Sequence, residues 1–137
     1  MSERSNKELL TDIIECIDKI FRYTNGMEFN DFMQDERTVD AVVRNFEIIF
    51  EASNRIEESL HSQFPEVEWR RIIGLRHRIA HDYFGIDFRM IWEIRETKLA
   101  DFKRQMETCS IRLNRLNLYT PASARLSLVK HIPKVLP

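Results

Sequence analysis

Glycine and proline are scarce in this sequence, three and four among 137 residues, and cysteine is scarcer still, with two. A loop that cradles phosphate, or a dinucleotide fingerprint, needs several glycines close together. Gly26, Gly74 and Gly85 are scattered, which excludes both. Cys16 and Cys109 are too few and too far apart for a disulfide framework or a zinc pattern. Each falls within helical periodicity, so reduced core thiols are expected. No apolar run approaches the ~20 residues of a membrane span, and the first seven residues lack the apolar stretch of an export signal. A soluble, cytoplasmic protein is expected, with no cofactor and no metal.

Charge of neither sign dominates: 21 lysines and arginines face 22 aspartates and glutamates, for a net charge of -1. Bulk electrostatics therefore announce no nucleic-acid partner. The distribution is uneven, however. Arg70, Arg71, Arg76, His77 and Arg78 cluster in one stretch, and after Glu107 only basic charges follow, at Arg112, Arg115, Arg125, Lys130 and Lys134. At 43% apolar and 31% charged residues, the chain has the composition of one helical globular domain.

The apolar residues keep helical spacing almost throughout. Ser5 and Glu8 form a capping box ahead of Leu9, Leu10, Ile13, Ile14, Ile17, Ile20 and Phe21, with Glu15–Lys19 and Asp18–Arg22 as expected pairs on the other side. Asn25–Gly26 ends this helix. Met27 to Gln34 reads as a connection that has room for one helical turn. Asp35 caps a long second helix whose seam is Val39, Val42, Phe46, Ile49, Ser53, Ile56 and Leu60. Gln63-Phe64-Pro65 breaks it, and Pro65 suits the first position of a third helix running to about Asp82. Asp87 caps a short helix with Ile91, Trp92 and Ile94, and Thr97 opens a longer one through Leu116. The expectation is an all-α, antiparallel helical bundle of four to five helices over residues 1–116. Residues 117–137 read as a basic tail, loosely docked or disordered, or as an arm that folds onto RNA or a partner subunit.

One helix is atypical. On a helical wheel Trp69, Ile72, Ile73, Ile79, Ala80 and Tyr83 fall within roughly 60° of Arg76, which sets a guanidinium in the middle of an apolar stripe. A cation there has to face a carboxylate or carbonyls, a wet crevice between subunits, or an anionic ligand such as phosphate. His81 lies about 140° further round. The two converge only if the helix stops near His81 or if one of them comes from a second subunit.

Arg76-x4-His81-x-Tyr83, within Gly-Leu-Arg-His-Arg-Ile-Ala-His-Asp-Tyr-Phe-Gly-Ile-Asp, resembles the RX4HXY motif of the HepT-like branch of the HEPN superfamily. The resemblance covers roughly residues 6–115. His77 stands where that family most often has Asn, and Ala100 where a Pro often follows the Leu. The resemblance implies a homodimer with two facing copies of the motif, and a metal-independent endoribonuclease toxin paired with a minimal nucleotidyltransferase antitoxin. An alternative is a non-nucleolytic HEPN-type helical dimer that binds nucleotide or partners a nucleotidyltransferase.

The residue types suit RNA cleavage. Histidine titrates near neutral pH and can move a proton to or from a ribose or leaving oxygen, and arginine opposes charge building on phosphate. Arg76 and His81 are the expected catalytic pair. Tyr83 is either a core or interface aromatic with its hydroxyl bonded or, as the resemblance implies, the site where the antitoxin attaches AMP. His77 supplements the site or orients it locally. Asp82 pairs with His81 or Arg76, or caps the turn. Arg70, Arg71 and Arg78 read as solvated partners of nearby acids, with a phosphate-tracking role the lesser reading. His61 and His131 are assigned nothing.

Overall fold

The structure, a computed structural model, describes residues 3–80 and 85–119. Among the described residues the protein is all-helical, with helices α1 (Asn6–Tyr23), α2 (Phe29–Gln34), α3 (Glu36–Arg55), α4 (Glu58–Gln63), α5 (Trp69–Ala80), α6 (Phe88–Thr97) and α7 (Leu99–Tyr119). Three caps fall where the sequence places them, whereas Thr97, expected to open the last long helix, closes α6 with its hydroxyl donating back to the Glu93 carbonyl, and α7 begins at Leu99. Ser5 and Glu8 close the capping box of α1. Asp35 accepts from the Thr38 amide at the start of α3, and Asp87 from the Met90 amide at the start of α6. Gly26 takes φ +76° in the turn after α1, a left-handed conformation that costs glycine little.

Four to five helices were expected, and seven are present, because two short ones occupy stretches read as a connection and as a helix end. Phe29–Gln34 is helical because Phe32 turns fully into the core and meets the Trp92 ring at 5.1 Å. The expected second helix is cut after Arg55. There Ile56 is extended and the Glu57 amide donates to the Asn6 side-chain oxygen at 3.2 Å, an intermolecular-style contact within one chain that α-helical hydrogen bonding would forbid. The seam residues Ile56 and Leu60 remain buried, Leu60 now on α4.

The third helix likewise begins later than expected, at Trp69 rather than Pro65. Phe64, Val67 and Trp69 are all buried, and the Trp69 indole donates back to the Phe64 carbonyl at 3.2 Å. Anchoring these three side chains inward, with Pro65, Glu66 and Glu68 exposed between them, holds residues 64–68 as a tight turn. The Arg112 guanidinium, 3.2 Å from Glu66, and the Gln105 amide on the Glu66 carbonyl tie that turn to α7.

The core lies between α1, α3 and α7, with α5 packed on α3 and α6 on α7. Ile13, Ile17, Ile20, Phe46, Ile49 and Met106 are almost wholly buried at its centre. Each such side chain contributes about 1.5–3 kcal/mol by leaving water. Of the two surface pairs expected on α1, Asp18 instead meets Lys103 of α7 at 2.6 Å, so the charge serves the contact between helices. Arg95 of α6 donates to the Thr24 hydroxyl at 2.9 Å and lies over the Trp92 and Phe21 rings, which binds α6 to the end of α1. No described helix is long and apolar enough to cross a membrane.

Both cysteines are buried and reduced. Burial pushes the Cys109 thiol up from 9.0 to about 11. Because the folded value lies above the unfolded one, this thiol leaves stability untouched below pH 9 and subtracts from it as pH rises from 9 through about 11. Urea titrations across that range should show a falling midpoint that Cys109→Ser flattens. An alkaline fall of equal size in the variant would exclude the thiol as its source.

Candidate active site

Helix α5 presents two sides to different surroundings. Trp69 and Ile79 are buried, and Ile72 and Leu75 are half-buried against the core. Ile73, Arg76 and His77 lie to the side of that stripe, Ile73 half-covered and both Arg76 and His77 exposed. Arg76 was expected in the middle of the apolar stripe. Its side chain instead keeps 55% of its surface in solvent. The correction has a simple cause: α5 rests chiefly on α3, so it buries a narrower arc than the wheel assumes.

Of the partners open to a cation in that helix, the one present within this chain is a carboxylate. Arg76 Nη1 donates to Glu51 Oε2 at 2.9 Å, and Glu51 Oε1 accepts from Arg55 Nε at 3.1 Å. One carboxylate is thus shared by two guanidiniums, leaving this small surface cluster with a net positive charge. Neither Glu51 nor Arg55 was singled out from sequence. They stand 25 and 21 positions before Arg76, and only the packing of α5 on α3 brings them to it. A signal existed in their i,i+4 spacing on α3, but it reads as an ordinary surface pair.

The Arg76 guanidinium has five N–H groups and gives one to Glu51 among the described residues, and with 55% of its side-chain surface in solvent it can offer others to a ligand. An exposed pair of this kind is worth about 0–1 kcal/mol, weak enough for a phosphate to compete with or add to the carboxylate. Arg71 pairs with Glu68 at 3.3 Å, as expected of a solvated arginine, whereas Arg70 and Arg78 have no partner among the described residues. His81, Asp82 and Tyr83, expected as catalytic, accessory and modified residues, lie outside the described residues, as does the tail from residue 120. The described part of α5 runs to Ala80, directly before them in the sequence. Among the described residues no group of His, Cys, Asp or Glu is placed to hold a metal ion.

An all-helical domain with an exposed, carboxylate-steadied arginine near the end of one helix fits the RNA-cleaving class, an endoribonuclease. Residues 13–109 match the model of the family described as ribonuclease HepT-like, and the chain belongs to that family. An inferred ribonuclease HepT of Thermococcus cleftensis is 37% identical over 105 residues, 77% of this chain and 96% of its own length. Two inferred RNases of Methanocaldococcus jannaschii are 36% and 32% identical over 107 residues, which is 78% of this chain and 98% and 88% of theirs. No solved structure matches the chain.

Glu51→Gln removes the charge that steadies Arg76 but almost none of the packing. Urea denaturation should register at most about 1 kcal/mol, as for other exposed pairs. RNA cleavage by the same variant should shift by more than that loss explains, with its dependence on salt altered. A large stability loss beside unchanged cleavage would make the pair a fold element only.

Proposed function

We propose that this protein is a metal-independent endoribonuclease toxin of a toxin–antitoxin pair, working as a homodimer whose facing α3 and α5 surfaces compose the site. The observation that supports this most is the Arg55–Glu51–Arg76 cluster, a net positive and solvent-open group on the helix that leads into His81. A second copy laid on this side would bring two arginines and two histidines to one cleft. Residues 1–116 form the enzymatic bundle in this scheme, an antiparallel one, and 117–137 a basic arm whose first three residues continue α7.

The chemistry follows from the groups. The ribose 2′-oxygen attacks its own phosphorus, the bond to the 5′-oxygen of the next nucleotide breaks, and a 2′,3′-cyclic phosphate and a 5′-hydroxyl result. One imidazole, His81, takes the proton from the 2′-hydroxyl or returns one to the leaving oxygen; its symmetry mate supplies the complementary transfer. Arg76 holds a non-bridging phosphate oxygen, where its charge opposes the negative charge that builds in the transition state. His77 lies exposed one position beyond Arg76 and steadies the substrate locally, and Asp82 orients His81.

Tyr83 is the point of control. A partner minimal nucleotidyltransferase would join its phenolic oxygen to the α-phosphorus of ATP with release of pyrophosphate. The attached AMP would bring bulk and negative charge to a site built for phosphate and so exclude RNA.

Arg76→Ala and His81→Ala should each lower RNA cleavage in chelator by about 10²–10⁴-fold, the range for loss of one acid–base or charge-stabilising group. Equal residual activity in wild type and both variants would assign the cleavage to a contaminant. RNA bound without cleavage by all three would favour the non-nucleolytic helical dimer instead. For the control step, co-expression with the cognate nucleotidyltransferase should add one adenylate to the peptide containing Tyr83. Intact mass showing no such increment would remove AMP attachment from the scheme.

A further inference from the structure

A crevice of about 680 Å³ opens beside the Arg76 cluster, lined by Asn54, Ile56, His61, Ser62, Trp69, Arg70 and Ile73 among others. Its volume is within the ~300–1,000 Å³ usual for sites that take a small organic group. Its position is not accidental to the cluster. Glu51 and Asn54 are three apart on α3, and Arg76 and Ile73 are three apart on α5. Each helix therefore supplies one member to the guanidinium cluster and, about 5 Å along its axis, one member to the crevice.

We infer that this crevice is a subsite for a single-stranded ribonucleotide adjoining the one whose phosphate Arg76 holds, a proposal that rests on the nuclease reading above. Three features give the ligand its chemistry. The rear wall is preformed: the His61 ring stacks on Trp69 at 4.5 Å and 24°, and whichever ring nitrogen carries the proton has an acceptor in reach, the Ser53 carbonyl 3.1 Å from Nε2 or Glu58 3.3 Å from Nδ1. The mouth carries two neutral polar side chains, Asn54 and Ser62, exposed and without hydrogen-bonding partners among the described residues. An amide and a hydroxyl offer both donors and acceptors, which matches the edge of a nucleobase.

Charge supplies the third feature. Arg71 is paired with Glu68, and Glu58 faces His61. Of the two arginines lining the crevice, Arg70 is exposed and has no partner among the described residues. It stands six residues before Arg76, a rise of about 9 Å and roughly a third of a turn round α5 with Ile73 between them, so a strand crossing the helix along that row can give successive phosphates to the two arginines while the base between turns into the crevice. A duplex would keep that base stacked and paired, so the subsite selects unpaired RNA.

The test uses the full chain and a short, fully 2′-O-methylated oligoribonucleotide, which cannot be cleaved because it lacks the attacking hydroxyl. Arg70→Ala should weaken its binding on the order of tenfold. It should also shrink the slope of log affinity against log salt by about 0.7, the signature of one lost phosphate contact to a single strand. Asn54→Leu should weaken binding about threefold or more with the slope unchanged, since it removes an edge contact and no charge. Both positions are exposed, and far-UV circular dichroism should report an unchanged fold. Wild-type affinity and slope in both variants would overturn the subsite. If Arg76→Ala alone weakens binding, the crevice falls and the nuclease reading stands. If the crevice variants weaken binding while the wild type never cleaves RNA, the crevice stands and the nuclease reading falls.

Discussion

The apolar contact between α1 and α3 is the constraint on which the other elements depend. Leu10, Ile13, Ile17 and Ile20 from one helix meet Val42, Phe46, Ile49 and Ser53 from the other, all nearly or wholly out of water. Ser53 enters that core without loss because its hydroxyl donates to the Ile49 carbonyl at 2.7 Å. With its inner face committed to α1, α3 turns Glu51 and Arg55 outward, and α5 can only dock along the side that remains. The chemistry of Arg76 is therefore set by a packing decision made two helices away.

A guanidinium near the surface is a different instrument from one buried in a core. Sealed inside, Arg76 would need all its donors satisfied by the protein and would have none left for a substrate. Where it stands, one carboxylate fixes its direction and solvent holds the rest. Preorganisation of this sort costs little stability, because exposed pairs are worth little, and it leaves the cation available to oppose charge that appears on a phosphate. The crevice one turn along α3 and α5 extends the same logic from charge to shape. A histidine–tryptophan stack backs a mouth whose polar groups, and the arginine at its rim, have no partner among the described residues.

The turn at Phe64–Trp69 connects these two features. Had α5 begun at Pro65, four more residues of helix would have carried Trp69 round the axis and away from His61. Instead Phe64, Val67 and Trp69 point inward in succession, and Glu66 is pinned to α7 through Arg112 and Gln105. The start of the motif helix, and hence the direction in which Arg70, Ile73 and Arg76 face, is held by contacts from residues some forty positions later.

Read alone, the sequence determined the helical class, the caps at Ser5, Asp35 and Asp87, the buried seam of the long helix and the singularity of the stretch around Arg76. These are local properties: periodicity and capping involve residues within four positions of each other, so a single strand of text contains them. It misjudged the breaks at Ile56 and Pro65, where a side chain from elsewhere, Asn6 or the buried Phe64–Trp69 set, overrode helix propensity. Only the tertiary structure decided that Arg76 is open to solvent and which acid steadies it. Glu51 is one of many acidic residues in the chain, and its pairing with an arginine 25 positions on exists only where two helices lie side by side.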